Sequence, residues 1–392
     1  MKPRLIDQQI WAVGAVDFDR RLFDALIPLP DGTSYNSYLV RGSEKTALID
    51  TVDPAFGPVL LESLRDVPSI DWIVSNHAEQ DHSGMIPAVL EKYPRASVLC
   101  SPKAKGLLMD HLGLPAERIA VVEDGSKLSL GDLTLEFIST PWVHWPETMS
   151  TFVPERGLLF SCDFFGAHLA QTDPFVADDK LIHDAAKRYF AEIMMPFRTA
   201  IQKNLDRLAR IPIRMIAPSH GPVHGRPAFI LDAYREWVSE KPGNAAVVAY
   251  ISMHGSTGIM VRRLVDELAS RGIRVSQFDL AETDIGKLAM ALVDAATIVL
   301  AGPAVHVGLH PKVASAAFLA NAIRPKARFA SYVGSYGWGH KLIEQLQSLL
   351  PNLKVEFVPP VVCRGLPKEA DLEAVDVLAA AIAQKHKDAG LG

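Results

Sequence analysis

Cysteine is scarce in this sequence: Cys100, Cys162 and Cys363 are the only three, and none falls in a CxxC spacing. That excludes a disulfide framework and points to a reducing, cytoplasmic setting. An excess of one charge is also missing. Forty Lys+Arg stand against 45 Asp+Glu, a net charge of −5, so no basic field invites nucleic acid or an anionic membrane. The opening residues lack the continuous apolar core of a secretory signal. The longest stretch without charge lies between Lys241 and Arg262. Pro242, Asn244, His254 and the cluster Gly255, Ser256, Thr257 and Gly258 interrupt it, so it reads as a buried strand and a polar loop rather than a membrane span. Internal repeats and low-complexity segments are absent as well.

What is present is an ordinary globular balance, 48% hydrophobic and 22% charged residues, which excludes whole-chain disorder, collagen and coiled coil. At roughly 150 residues per domain, 392 residues suggest two or three domains. Up to about residue 240, short apolar runs at 37–40, 46–49, 72–75, 133–139, 158–161 and 211–217 each end in polar residues. Strands that deliver His, Asp and Glu at their ends are how a sheet builds a site on its loops. Beyond that point the rhythm changes. Strand candidates at 246–251, 273–278, 297–301, 329–333 and 355–358 alternate with helical patterns at 259–270, 285–294 and 311–322, which argues for a doubly wound parallel sheet. Lys241, Pro242, Gly243 and Asn244 are a plausible boundary, dividing the chain into 1–241 and 242–392.

Histidine is the one conspicuous count, at thirteen. Residues 76–84 read N-H-A-E-Q-D-H-S-G, and His77, Glu79, Asp81 and His82 are all of metal-ligating type. Packing them into one short loop is costly for structure alone, because the groups cannot all be solvated independently. His144, Asp163 and His220 follow, each near a strand end. Four imidazoles and three carboxylates suit two metal ions with one carboxylate shared. His111, His183, His310 and His386 read as surface or packing residues, and His168 as either a packed histidine or a hydrogen-bond partner of the metal ligands.

The strand at 246–251 runs into Ser252, Met253, His254, Gly255, Ser256 and Thr257 and then a helix. Such a turn offers backbone N–H groups and a positive dipole end to a phosphate, or caps the helix and nothing more. It lacks both the Walker A lysine and G-x-G-x-x-G. Two later segments lie at the ends of the third and fourth strands, where ligands of this architecture bind: Gly302, Pro303, Ala304, Val305 and His306, and then Gly334, Ser335, Tyr336, Gly337, Trp338 and Gly339.

The H-x-E-x-D-H loop with its later His, Asp and His resembles the metallo-β-lactamase fold as flavodiiron proteins use it. The three later segments are similar to their flavodoxin domain. Hydrolases of the fold usually carry a second His where Glu79 stands, and a harder oxygen ligand suits iron over zinc. The resemblance implies an αββα metallo-β-lactamase-like sandwich followed by a flavodoxin-like sheet. It implies one iron held by His77, Glu79 and His144, another by Asp81, His82 and His220, and Asp163 as the bridge. It also implies FMN, with 252–257 at the phosphate and the other two segments around the ring. In this segment Ala301, Gly302, Pro303 and Ala304 offer fewer hydroxyls than the family often has.

The expected activity is reduction of dioxygen to water or of nitric oxide to nitrous oxide. FMN and a diiron pair together hold the four electrons that dioxygen requires. No cysteine-rich rubredoxin segment follows Gly392, so the donor is expected to be separate, either rubredoxin or a reduced deazaflavin. A head-to-tail homodimer is implied by the resemblance alone. The competing readings are a dizinc hydrolase with an appended flavodoxin-like domain and an electron carrier with an inert first domain. Tyr189, Phe165 and Trp145 are candidates for the pocket lining or for the core.

Overall fold

Alternation of apolar residues with period two organises the first half of the chain. Leu39 pairs with Leu48, Leu48 with Ile73 and Ile73 with Val98, forming one apolar row across four strands. The adjacent residues Val40, Ala47, Ile49, Val74 and Leu99 turn to the opposite face. The computed structural model describes residues 2–392. In it this row belongs to a seven-stranded sheet of β1 (Arg4–Asp7), β2 (Ile10–Ala12), β3 (Tyr38–Arg41), β4 (Thr46–Ile49), β5 (Trp72–Ser75), β6 (Ser97–Cys100) and β7 (Ile119–Val121), in that order. A second sheet holds β8 (Lys127–Ser129), β9 (Thr134–Ser139), β10 (Met149–Val153), β11 (Leu158–Cys162) and β12 (Met215–Pro218).

One core lies between the two sheets, where Val40, Ile49, Val74 and Leu99 meet Leu135, Phe137, Met149, Leu158, Phe160 and Ala217. The other face of the first sheet packs on helices Gly57–Ser63, Ile86–Lys92 and Pro102–Leu112 through Leu60, Val89 and Leu108. Helices Asp179–Tyr189, Arg198–Leu208 and Pro227–Val238 accompany the second sheet. Asn204 and Arg207 of that group donate to the carbonyls of Pro141 and Ser139. The result is an αββα sandwich. It forms one compact unit, Met1–Tyr189 with Phe197–Val238; the other unit is Phe190–Pro196 with Ser239–Gly392.

The second unit carries β13 (Gly243–Tyr250), β14 (Arg274–Asp279), β15 (Ala295–Val305), β16 (Phe329–Tyr336) and β17 (Glu356–Phe357). Their order in the sheet is β14-β13-β15-β16-β17, all parallel, the flavodoxin-like winding. Helices Ser256–Ser270 and Glu369–Asp388 bury Val261, Leu264, Leu268, Val375, Leu378 and Ile382 against it.

Several elements differ from the sequence reading. The strand expected at 211–217 is confined to β12, because residues 211–213 turn back on Leu208 and Ile211 carbonyls. β15 and β16 continue past their apolar runs, so Pro303, Ala304, Val305, Ser335 and Tyr336 are strand rather than loop. Ladder hydrogen bonds need no apolar side chain, and the pairing of Gly302 with Gly334 and of Pro303 with Ser335 carries the strands onward. Strand Val361–Arg364 and helix Glu369–Asp388 had no counterpart in the sequence reading.

Gly42, in the turn between β3 and β4, lies against Leu130. A Cβ there would stand 2.2 Å from the Leu130 carbonyl oxygen. Backbone cannot yield as a flexible side chain does, so Gly42→Ala should lower unfolding stability by about 1–3 kcal/mol in denaturant titration. A neutral effect would show that this turn is free to shift.

Candidate functional site

Four strand ends open at one rim of the sandwich, and each carries a ligand-type residue. β5 ends into His77, β11 into Asp163 and β12 into His220, while the β9–β10 connection holds His144. The short turn Gln80–Ser83 brings Asp81 and His82 inward, and Thr51 anchors it by donating through both N–H and hydroxyl to the His82 carbonyl, each at 2.6 Å. The last turn is pinned from beneath. Asp50 accepts the N–H of Asn76 at 2.7 Å and its side-chain amide at 3.0 Å, and Thr151 donates to the Asn76 Oδ1 at 2.7 Å. The site is therefore set by buried backbone as much as by the side chains that line it.

All seven residues singled out in the sequence converge. His77 Nε2 lies 3.1 Å and His144 Nε2 3.3 Å from Glu79 Oε2, and both are 3.5 Å from Asp163 Oδ2. On the other side, His82 Nε2 and His220 Nε2 lie 3.3 and 3.2 Å from Asp81 Oδ2, and 3.0 and 3.6 Å from Asp163 Oδ1. Asp163 thus turns one oxygen to each group. Cys162 also approaches His82 and Asp163. In the metal-free cluster burial pushes its thiol well above the usual range.

These close approaches are only in part hydrogen bonds. Asp163 Oδ1, both Asp81 carboxylate oxygens and the ring nitrogens of His82 are buried and have no hydrogen-bond partner. His82 and Asp163 are 3.0 Å apart, yet the approach lacks hydrogen-bond direction. Buried carboxylate oxygens without donors are expensive. Lone pairs converging on common points, each group containing nitrogen and oxygen donors, are what two divalent ions require, so the donor set fits a metal pair.

Without metal, protons must hold the cluster together. Burial alone would lower the pKa of His77, but its hydrogen bonds to Glu147 and Glu79 raise it to about 10. Against the same effect of burial, Asp81 and Asp163 raise His82 to about 9, and Asp163 and Glu79 raise His144 to about 10. Despite burial, the histidines hold the carboxyls of Glu79 and Asp163 below the ordinary carboxylate range. A metal ion would replace these protons.

Other groups tie the ligands from behind. His77 Nδ1–H donates to Glu147 Oε1 at 2.6 Å, and His220 Nδ1–H to the Ser34 carbonyl at 2.6 Å, which turns each Nε2 inward. Glu147 and Ser34 were not found in the sequence. Neither sits at a telling spacing from its partner. Asp50, by contrast, follows β4 as the ligands follow their strands, so the same rule could have found it. His168 is buried, its Nδ1 is 2.9 Å from the Thr33 hydroxyl, and its ring lies 4.8 Å from that of His220.

Of the three aromatic candidates, Trp145 abuts His77 at 4.9 Å, and Tyr189 lies 4.9 Å from His168 and 5.9 Å from His220, measured between ring centroids. Phe165 stacks on Phe164 and packs against Tyr234, so it belongs to the core. His111 faces Trp145, His183 packs on Trp237, His310 caps helix Pro311–Ile323, and His386 is buried between Thr297 and Asn244. His111 is exposed, His310 serves as a helix cap, and His183 and His386 are packed.

In the second unit, the three segments expected at a cofactor follow three neighbouring strands, β13, β15 and β16. Gly255 takes a left-handed conformation, φ 91°, ahead of helix Ser256–Ser270, which has no side-chain cap there. Ser252 Oγ accepts the Gly258 N–H at 3.1 Å, and Thr257 and Ser335 hydroxyls meet at 3.3 Å, joining the first segment to the third. Met253, His254 and His306 are exposed, and Trp338 is 82% exposed. His306 and Val307 form the turn of a hairpin in which Gly308–Leu309 pairs back on Ala304 and Val305.

A family model described as ODP family beta lactamase matches residues 33–221, which include all seven converging residues. A nitric oxide reductase of Moorella thermoacetica is 35% identical over 99% of this chain and 100% of its own. A type A flavoprotein of Rhodobacter capsulatus is 32% identical, over 92% of this chain and 86% of its own. Among solved structures, the rubredoxin oxygen:oxidoreductase of Desulfovibrio gigas matches with a TM-score of 0.94 at 28% identity, covering 99% of both chains. A metallo-β-lactamase-like unit joined in one chain to a flavodoxin-like sheet is the architecture these relatives share. The chain belongs to the flavodiiron protein family. No helix among the described residues is long and apolar enough to cross a membrane.

The proton-held cluster has a measurable signature. Histidines whose pKa rises on folding stabilise the protein fully below their unfolded value of about 6.5, and lose that contribution as pH climbs through about 9 to 10. Metal-free protein should therefore lose thermal stability between pH 7 and 10 relative to metal-loaded protein, in which the ions replace the protons. Parallel melting curves for the two forms would contradict the assignment.

Proposed function

We propose that this chain is a diiron, FMN-dependent oxidoreductase that reduces dioxygen to water, nitric oxide to nitrous oxide, or both. The observation that carries the reading is Asp163, buried and turned with one oxygen to each histidine group. His77, Glu79 and His144 would hold one iron and Asp81, His82 and His220 the other, with Asp163 shared. Glu79 supplies the hard ligand that favours iron over zinc. When bound, the two irons supply electrons and open coordination positions for a diatomic substrate. The protein's part is to fix the ring orientation of His77 and His220 through Glu147 and the Ser34 carbonyl, so that each Nε2 is aimed inward, and to wall the site with Trp145, Tyr189 and His168.

FMN would lie across the ends of β13, β15 and β16. The uncapped N–H groups of Ser256 and Thr257, with Ser252, suit its phosphate. No atom lies within 4 Å of where a Cβ would stand at Gly255, Gly337 or Gly339, so the backbone there has room for a ligand at close range. Exposed Trp338, together with Tyr336, Gly337 and Gly339, offers flat apolar cover to a ring, and Pro303, Ala304, Val305 and His306 form the neighbouring wall. We take 1–241 as the metal domain and 242–392 as the FMN domain. An external donor such as rubredoxin or a reduced deazaflavin would supply the electrons, and the family resemblance suggests head-to-tail pairing of two copies.

Reduced anaerobically and then exposed to each gas, the purified protein should consume dioxygen or nitric oxide, with about two irons and one FMN per chain. Asp163→Ala should cut uptake by more than about 100-fold, beyond the usual cost of losing an outer-shell partner, while the flavin absorbance survives. Two zincs per chain with hydrolase activity and no gas uptake would sink this reading.

A further inference from the structure

The two metal positions have different surroundings. Among the four histidines, His77 alone donates to a carboxylate, Glu147; His220 donates to a neutral carbonyl, and His82 Nδ1 is buried without a partner. Glu147 is itself held firmly. Its Oε1 accepts both His77 Nδ1–H at 2.6 Å and the Ala78 N–H at 3.1 Å, and its carbonyl accepts the Ser101 hydroxyl at 2.6 Å. The residue is 2% exposed and lines a cavity of about 250 Å³ with Ser101, Lys103, Glu123 and Ser139. Its other oxygen, Oε2, is buried and has no hydrogen-bond partner.

A carboxylate behind a ligating imidazole makes that ligand a stronger electron donor, and nearby negative charge favours the higher oxidation state of the ion. The His77 side has this device in addition to Glu79; on the opposite side Asp81 is present, but no carboxylate accepts a hydrogen bond from the outward nitrogen of His82 or His220, and buried Asp50 acts on His82 and His77 alike without bonding to either. We propose that Glu147 is a positioning residue that makes the two metal positions inequivalent, so that the pair takes up its first electron on the Asp81–His82–His220 side and keeps the more oxidised ion beside His77. The proposal rests on the diiron reading above. Its consequence is a one-electron-reduced pair that is well populated rather than fleeting.

The test is a mediated reductive titration of the full-length holoprotein, following the electron paramagnetic resonance of the one-electron-reduced pair. Wild type is compared with Glu147→Gln and with Glu123→Gln, which removes a charge from the same cavity without touching His77. In Glu147→Gln, the comproportionation constant should fall by about tenfold, with the peak signal falling accordingly, while Glu123→Gln follows wild type. Curves for Glu147→Gln that match wild type, or an equal change in Glu123→Gln, overturn the proposal. Should Glu147→Gln bind fewer metals, loss confined to one ion per chain supports it and equal loss of both from a cooperatively melting protein overturns it. Should the glutamine variant not fold, Glu147→Asp must show the same narrowing to a smaller degree, and an unchanged curve overturns the proposal. A wild type with no iron-dependent signal counts against the diiron reading instead.

Discussion

A buried carboxylate must be neutralised, and Asp163 is 1% exposed at the centre of the first unit. Its two oxygens point in different directions, so one positive partner cannot satisfy it. The surrounding histidines arrive in two groups because the two oxygens do. Each group brings its own carboxylate, Glu79 or Asp81, which deepens the need for positive charge. The strands of the sandwich end at the same rim, and the core between the sheets fixes those ends to within the tolerance that such short contacts demand.

The two units present candidate sites of opposite construction. The first relies on side chains that are buried, polar and held from behind by Glu147, Ser34, Asp50 and Asn76. The second relies on backbone, with small residues at strand ends and a left-handed glycine ahead of an uncapped helix. The former must exclude water so that charges act strongly. The latter stays open, with its aromatic residue Trp338 on the surface.

This contrast explains how much was legible in the sequence. His77, Glu79, Asp81 and His82 share nine residues of chain, and His144, Asp163 and His220 each follow an apolar run, so spacing and context named them. Glu147 and the Ser34 carbonyl depend on contacts across 70 and 186 residues and leave no local trace. The doubly wound sheet was legible because its central strands β13, β15 and β16 are largely apolar and buried on both faces. Where β15 and β16 outrun that apolarity, at Pro303 and Ser335, the composition no longer reports the backbone ladder. The helix Glu369–Asp388 buries Val375, Leu378, Ala379, Ile382 and His386 at helical spacing; its alanine-rich sequence blurs that stripe.

The parallel pairing of β11 with β12 joins Leu158–Cys162 to Met215–Pro218 across the intervening α-helices Asp179–Tyr189 and Arg198–Leu208. Parallel pairing over such a span forms late, after local hairpins such as β9–β10. During synthesis Asp163 emerges well before His220, so until then the Asp81 group has His82 as its single imidazole. Until the chain beyond Pro218 arrives, β11 is an open edge beside an incomplete group of residues. Completion of the seven-residue cluster is in that sense a late folding event, gated by the docking of one four-residue strand.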